Sequence, residues 1–428
     1  MASAPSSRLI AAAAWLVPYF LLGLVSWHLD DPLSSVSYVW LPTGLGVAAL
    51  LLVRSERWPD TIAAILIAEL LLRGLRGEMW LTLLVLALVA TGTTVLTAWL
   101  VQRLSPARRG IGFVGALLAG SAAGAVLNAV VDVAWISYAE QVAFAATALH
   151  WAIADFVGIH VVAPLVLGWA QFRPRRSGGP SRRDFQVGLL AFIALLASSF
   201  YLFDGNTATR FSGSVGFALT WLPMLLVVVV GLIWGPRGGS LAVLALALQV
   251  LLQTSQGDGP FASLDGQRGE SILEAQVYLA AIAVLMMLLN TLRSTRELAL
   301  EQAAAWRARF ELALAGSNQL MYRYDPYRNL LEWGGDLESA FGMNPEQIDS
   351  VEALLSHVHP ADRQRVKVFW TARASALPAD QGSIQYRIAH AEGGWRSVTD
   401  IGSPLADADG ELAVVAGLYR IGSHERQV

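Results

Sequence analysis

The sequence predicts a polytopic all-α membrane bundle of about ten transmembrane helices, followed by a C-terminal α+β domain. Of its 428 residues, 55% are apolar and only 15% are charged, whereas soluble proteins carry about a quarter charged residues. Residues 1–292 hold 16 arginines and 15 acidic residues, while the shorter stretch 293–428 holds 14 basic and 18 acidic residues. We therefore expect a transmembrane domain over 1–292, a linker helix over 293–316 and a separate domain over 317–424.

Apolar runs define the transmembrane helices, because about 20 apolar residues are needed to cross the hydrocarbon core of a bilayer. Short breaks with proline, glycine or paired charges separate the runs, as at Gly235-Pro236. The candidate spans are residues 9–27, 38–53, 59–75, 79–102, 111–133, 146–171, 185–203, 214–234, 239–256 and 271–292.

The arginines indicate the orientation of these spans. With the N-terminus inside, fourteen arginines from Arg8 to Arg296 fall in cytoplasmic segments and four in external ones, which is the positive-inside pattern. We expect a multi-pass protein of the bacterial inner membrane with both termini in the cytoplasm. Arg73 and Arg76, between the third and fourth spans, are exceptions to this orientation.

Several polar residues lie inside predicted spans, where an ionisable side chain costs about 2.5–3.5 kcal/mol or more. In the predicted orientation most of them lie towards the outer face, which suggests a polar, aromatic pocket that opens to the periplasm and binds an unknown small molecule. Structural hydrogen bonds between helices are the alternative, and His160 is expected to serve packing. The candidate ligand-binding residues are Trp40, Pro42, Glu69, Asn128, Asp132, His150, Trp151 and Asp155.

Composition excludes some functions. The sequence has no cysteine, which excludes disulfides, thiol catalysis and cysteinyl-flavin photochemistry. A net charge of −3 gives no electrostatic footprint for nucleic acid. No histidine pair has metal-ligand spacing in the membrane region, because His150 and His160 are ten residues apart.

Two motifs in the membrane region carry a family resemblance. They are Val39-Trp40-Leu41-Pro42-Thr43-Gly44 and Trp151-Ala152-Ile153-Ala154-Asp155-Phe156-Val157-Gly158, the second running on to Pro164. With these motifs the region resembles the membrane-associated sensor (MASE) family, first type, whose members usually have about eight spans. The resemblance implies a sensory role in bacterial diguanylate cyclases and histidine kinases. It points to Trp40, Pro42, Gly44, Trp151, Asp155, Gly158 and Pro164 as functional positions.

The linker has a weak heptad pattern. Leu292, Ala299, Trp306 and Ala313 are seven residues apart, and Ala303 and Phe310 occupy intervening seam positions, where Arg296 interrupts the pattern. The pattern is typical of a parallel two-stranded coiled coil, so we expect a homodimer. A solvated helix that packs on its own domain explains the pattern equally well.

Alternating apolar residues and turn signals predict the C-terminal domain. We expect a hairpin of strands 321–324 and 330–333, short helices near 337–341, 345–348 and 351–357, and a longer helix over 361–376. Three strands follow at 383–390, 395–401 and 412–421. This order predicts an antiparallel sheet with helices on one face.

The same region resembles a PAS domain. The matching residues are Trp333, Phe341-Gly342, His357-Val358-His359-Pro360-Ala361-Asp362-Arg363 and Gly393-Gly394-Trp395. The resemblance implies that His357 and His359 belong to a structural helix start, where Asp362 is favourable. A haem ligand is the sharper alternative for either histidine, and the cofactor is unknown.

No catalytic signature follows the PAS-like domain, so we expect no enzyme activity in this chain. The leading hypothesis is an inner-membrane receptor that perceives a periplasmic or membrane-borne signal. It would control an output enzyme such as a diguanylate cyclase. We expect this enzyme either in a part of the protein that is truncated from this chain or on a partner protein. A transporter-like protein, suggested by the repeated Trp-Leu-Pro motifs at 40–42 and 221–223, and a scaffold that anchors and dimerises the PAS module remain alternatives.

Overall fold

The computed structural model describes most of the chain. The described residues are 5–30, 38–107, 110–140, 144–170, 181–204, 215, 218–261, 268–317, 319–374, 382–406 and 412–425. The chain divides into two compact units, Met1–Arg296 and Glu297–Val428. The first is helical, and the second contains the sheet.

Within the described residues, the first unit contains nine helices. The last of them, α9, extends beyond Arg296 into the second unit. The helices are α1 (Pro5–His28), α2 (Leu41–Leu52), α3 (Trp58–Leu75), α4 (Trp80–Leu104), α5 (Gly110–Glu140), α6 (Phe144–Ala170), α7 (Arg182–Phe203), α8 (Trp221–Ser255) and α9 (Arg268–Ser317). A short 3₁₀ turn, Ser55–Arg57, precedes α3.

Helix α2 is the most enclosed element of this unit. Every residue from Leu41 to Leu51 is buried, and the helix packs against α1, α4 and α6. By contrast, α7 exposes large apolar side chains such as Leu190 and Phe200. A helix that is apolar all round belongs in a core, and apolar side chains on the outside of a bundle suit contact with lipid.

The 35-residue helix α8 reverses direction at Gly235, whose φ is +72° and ψ is −164°. The ring of Trp234 stacks on Phe185 at the start of α7, 5.8 Å between centroids, while Gln253 donates to the carbonyl of Phe200 at the end of α7. A Cβ on Gly231 would lie 3.4 Å from the Cα of Gly239, eight residues further on, so residues 221–234 fold back against residues 236–255. This agrees with the break predicted at Gly235-Pro236, since a glycine adopts positive φ without steric cost.

The predicted count of about ten spans is not confirmed, since six helices in the described part of the chain are long and apolar enough to cross a membrane. Helices α1 and α2 have shorter apolar segments, and α3 carries Asp60, Glu69 and Arg73. The reversing helix α8 counts once among the six. The protein therefore has a multi-pass helical domain with fewer clear spans than hydropathy breaks suggested.

The second unit contains a five-stranded antiparallel sheet of order β2-β1-β5-β4-β3. Its strands are β1 (Gln319–Asp325), β2 (Leu330–Gly334), β3 (Gly382–Ala389), β4 (Trp395–Ala406) and β5 (Leu412–Glu425). The helices are α10 (Leu337–Phe341), α11 (Val351–His357) and α12 (Pro360–Ala374), with a 3₁₀ turn at Pro345–Gln347. The α+β prediction is confirmed.

A buried ion pair ties helix α12 to the sheet. The guanidinium of Arg373 donates to Asp400 on β4 at 2.9 Å, and both side chains are almost fully buried. The hydroxyl of Tyr322 on β1 donates to the same carboxylate oxygen at 2.7 Å. Burial raises the pKa of the Asp400 carboxyl, and the Arg373 charge opposes that rise.

Candidate functional site

A polar cavity lies at the end of the helical bundle where α1, α3 and α5 finish and α2, α4 and α6 begin. Its empty volume is about 610 Å³, including open solvent at its mouth. The cavity is lined by Trp27, Trp40, Arg73, Arg76, Glu78, Ala90, Asn128, Asp132, Trp151, Ala154 and Asp155.

Each carboxylate oxygen of Asp155 accepts a hydrogen bond from a neighbouring helix. One carboxylate oxygen accepts from the Thr43 hydroxyl at 2.9 Å, and the other accepts from the Asn128 side-chain amide at 2.8 Å. Thr93 in turn donates to the amide oxygen of Asn128 at 3.1 Å. This carboxylate thereby connects α2, α4, α5 and α6, so it holds the wall of the cavity together.

The carboxylate of Asp132, in the same cavity wall, has a different environment. Its side chain is 1% exposed, and neither carboxylate oxygen has a hydrogen-bond partner among the described residues. The indole N–H of Trp151, also in the cavity wall, likewise has no partner within that part of the chain. Buried polar groups are nearly always hydrogen-bonded, so the wall offers a ligand one strong acceptor group and one donor.

Arg73 is placed by carboxylates on either side. Its guanidinium donates to Glu69 one turn earlier at 3.2 Å and lies 3.6 Å from the Glu78 carboxylate. Glu69 is fully buried and also accepts from the Tyr19 hydroxyl at 2.7 Å. An ion pair at i, i+4 spacing inside a helix explains how two charges are tolerated there.

Arg76 closes the same side of the cavity. It pairs with Asp30, and its guanidinium lies 4.6 Å from the ring centroid of Trp27. Such a stacked position is typical of a cation–π contact.

Close contact between α2 and α6 fixes the positions of the aromatic residues. A Cβ on Gly158 would lie 2.0 Å from the carbonyl oxygen of Trp40, and one on Gly44 would lie 2.3 Å from the carbonyl oxygen of Gly158. The backbone N–H of Trp40 donates to Ala154 at 3.3 Å. Glycine is needed at both positions because the neighbouring atoms are backbone and cannot move aside.

Helix α9 also reaches this region. The side-chain amide of Gln276, which is fully buried, donates to the carbonyl of Tyr38 at 3.0 Å and to that of His150 at 3.2 Å. Tyr38 and His150 lie close in sequence to Trp40 and Trp151. One α9 side chain thus holds two segments of the cavity wall.

The structure brings five of the eight predicted ligand-binding residues together in the cavity wall, namely Trp40, Asn128, Asp132, Trp151 and Asp155. Glu69 lies behind the wall, bonded to Arg73. Pro42 is buried in the first turn of α2, and the ring of His150 bonds the carbonyl of Ala146 in its own helix.

Sequence reasoning did not select Trp27, Arg73, Arg76, Glu78, Ala90 and Ala154 as binding residues. Arg73 and Arg76 were noted only as exceptions to the orientation pattern. The signal that could have found Arg73 is its spacing of four residues from Glu69 within an apolar helix, since a buried charge requires a partner.

The histidines of the second unit have structural contacts. His357 bonds the carbonyl of Ala353, and the ring of His359 packs edge-on against Trp395, 4.5 Å between centroids. Asp362 accepts from the side chain of Arg387 at 2.9 Å and from its backbone N–H at 3.2 Å. Among the described residues, no group of three or more metal-ligating side chains of the kind His, Cys, Asp or Glu comes together.

An apolar helical bundle with a polar cavity, joined by a long helix to a small antiparallel sheet, has the organisation of a membrane sensor. The MASE1 family model matches residues 11–297, and the PAS fold model matches residues 330–419. Because the first match spans more than half of the chain, the chain belongs to the MASE1 family. It is a multi-pass MASE1 membrane sensor domain followed by a PAS domain, as the two resemblances predicted.

Solved structures resemble the chain over about a quarter of its length. The N-terminal domain of a diguanylate cyclase with PAS/PAC sensor from Marinobacter aquaeolei is 20% identical, covers 24% of this chain and 92% of its own, and has a TM-score of 0.22. A sensory box histidine kinase/response regulator from Burkholderia thailandensis E264 is 22% identical, with 26% and 83% covered and a TM-score of 0.22. A PAS domain from Colwellia psychrerythraea is 15% identical, with 28% and 95% covered and a TM-score of 0.22. At these scores the likeness says nothing about function. No curated protein matches the chain.

Proposed function

We propose that the chain is a receptor whose membrane domain binds a small molecule in the cavity that helices α1 to α6 surround. The observation that carries this proposal is the pair of unsatisfied buried polar groups, the Asp132 carboxylate and the Trp151 indole N–H, in one cavity wall. A bound ligand that satisfies both would favour one packing of the helices over another, which is how a ligand shifts a conformational equilibrium.

The signal passes along α9 to the PAS domain, which controls an output enzyme such as a diguanylate cyclase. The contacts of Gln276 support this route, because they connect α9 to the segments that carry Trp40 and Trp151. The heptad pattern of the linker supports a parallel dimer as the signalling form.

In this proposal the protein lies in a bacterial inner membrane, the cavity opens to the periplasm, and both termini are in the cytoplasm. The distribution of arginine supports the orientation, since Arg54, Arg57, Arg103 and Arg237 lie at the end of the bundle opposite the cavity. The receptor therefore samples the periplasm or the outer leaflet.

The test fills the cavity without knowledge of the ligand. The variant Ala90→Trp, at a cavity-lining position, is fused in frame to a diguanylate cyclase domain, and cyclic di-GMP is measured in cells. Leu88→Trp is the matched control, because Leu88 lies two residues away on the exposed face of α4. We expect Ala90→Trp to change output by roughly fivefold or more, a typical coupling between sites, and Leu88→Trp to leave it unchanged.

Membrane levels of both variants are measured in parallel, and the smaller change Ala90→Leu replaces any variant that fails to accumulate. Equal output from the parent fusion and from well-folded Ala90 variants would contradict the receptor proposal.

A further inference from the structure

We propose that the cavity recognises a small primary amine in its cationic form, with the ammonium against Asp132 and a neutral oxygen of the ligand against the Trp151 indole N–H. An amino alcohol such as ethanolamine has this chemistry. The inference rests on the proposed function and specifies the class of ligand.

The charge balance of the cavity favours a cation. Among the described residues at and directly behind its wall, five carboxyl groups face two guanidinium groups, those of Arg73 and Arg76. Glu69 and Glu78 flank Arg73, which also attracts Asp132 electrostatically. Asp30 pairs with Arg76. A cleft lined by an excess of carboxyl groups attracts a positive ligand.

The hydrogen bonds decide which carboxylate meets the ligand. Asp155 already accepts from Thr43 and Asn128, one bond to each oxygen, whereas both oxygens of Asp132 lack a partner among the described residues. A carboxylate with two open oxygens calls for N–H donors. A primary ammonium supplies three, and a quaternary ammonium supplies none.

The tryptophans define the rest of the ligand. Arg76 occupies the face of Trp27, which leaves Trp40 and Trp151 to contact the ligand. Aromatic faces attract an ammonium, while the indole N–H of Trp151 needs an acceptor. A neutral acceptor such as a hydroxyl suits the negatively charged cavity better than a carboxylate does.

This chemistry has two sources, a free amine and the ethanolamine headgroup of a phospholipid. The experiment separates them by using the full chain in nanodiscs of phosphatidylcholine and phosphatidylglycerol, to which ethanolamine is added, and in nanodiscs that contain phosphatidylethanolamine. Thermal unfolding and tryptophan fluorescence report binding. Three compounds serve as controls. Choline is a cation without N–H donors, ethylene glycol is uncharged, and acetate has the opposite charge.

We expect ethanolamine, or the phosphatidylethanolamine nanodisc, to raise the unfolding temperature, and choline, ethylene glycol and acetate to have roughly tenfold weaker effects or none, as charged hydrogen bonds are lost. Asp132→Asn should weaken ethanolamine binding by roughly tenfold or more, and Trp151→Phe by several-fold. Glu56→Gln and Trp80→Phe are matched controls at exposed positions outside the cavity, and should bind as the parent does.

The proposal is overturned if neither form of ethanolamine stabilises the parent, if choline or acetate matches it, or if folded Asp132→Asn binds it normally. Should Asp132→Asn not fold, the preference of the parent for ethanolamine over choline decides. If the amine result is negative while Ala90→Trp still changes output, only the ligand class fails and the receptor stands.

Discussion

Two buried aspartates in the same cavity wall have opposite environments. Asp155 is 4% exposed and Asp132 is 1% exposed, yet among the described residues only Asp155 of the two has hydrogen-bond donors on both oxygens. A satisfied carboxylate stabilises the packing of helices, whereas an unsatisfied one costs free energy until something binds it. In the proposed receptor the two residues therefore have distinct functions, Asp155 in structure and Asp132 in recognition.

The contact between Gly158 and Trp40 leads to a stability prediction. Gly158→Ala should lower the stability of the membrane domain by about 1–3 kcal/mol, because its Cβ meets a backbone carbonyl that cannot yield. Gly168→Ala in the same helix has no neighbouring atom within 4 Å and should be neutral or slightly stabilising. Thermal unfolding in detergent measures both. Equal unfolding temperatures for the two variants would show that α2 and α6 do not need this contact.

Asp362 gives a prediction about pH. Hydrogen bonds from Arg387 hold the pKa of the Asp362 carboxyl below its usual range, so the folded state favours the ionised form. The resulting stability is present at neutral pH and is lost as pH falls through the ordinary aspartate value of about 4 to the lower folded-state pKa. Asp362→Asn should remove this acid sensitivity.

Hydrogen exchange of α12 and β3 in the full chain, followed from neutral pH to acid, tests the prediction on Asp362. Glu346→Gln, a change to an exposed carboxyl group, should keep the acid sensitivity of the parent. An identical pH profile for Asp362→Asn and the parent would contradict the linkage.

The cavity could be predicted only in part from the sequence. The cost of ionisable residues in apolar helices identifies Asp132 and Asp155 as unusual, because that argument needs no tertiary information. It does not tell which of them is satisfied, since the partners of Asp155 are 112 and 27 residues away. Arg73 was missed because orientation counting treats an arginine as a marker of sidedness and ignores its partners.

At the scale of elements, local signals were sufficient for the PAS domain. The predicted strand 330–333 corresponds to Leu330–Gly334, and the predicted helix 361–376 corresponds to Pro360–Ala374, because turn residues and alternation mark their ends. The membrane helices were harder. Hydropathy locates apolar runs, but α2 is enclosed by its neighbours, and a run enclosed by protein has the same composition as one that faces lipid.

The contacts of α9 give a prediction about signal transmission. Gln276→Leu removes both bonds to the cavity wall, so in the cyclase fusion it should reduce the effect of Ala90→Trp by roughly half or more, as expected for coupled sites. Gln249→Leu is the matched control, because Gln249 bonds Ser199 and Leu196 on α7, away from the cavity. If Gln276→Leu and Ala90→Trp act independently, the signal does not pass through Gln276.

At the scale of the whole molecule, the chain has separate hydrophobic cores. The core of the sheet domain contains Tyr322, Trp370 and Tyr419, and no residue of the helical unit belongs to it within the described part of the chain. Each core supplies its own cooperative interactions. Residues that share buried contacts unfold together, so the two units should unfold in two separate transitions.

Substitutions in each unit test this independence. Arg373→Met leaves the buried Asp400 carboxylate without its cation, which typically costs about 3–5 kcal/mol. It should lower the unfolding temperature of the PAS domain by on the order of 10 °C and leave the membrane transition in place. Gly158→Ala should lower only the membrane transition. Scanning calorimetry of the full chain, with hydrogen exchange to assign each transition, measures both. If either variant moved both transitions together, α9 would couple the folding of the two units as well as their signalling, since a single continuous helix is the element that they share.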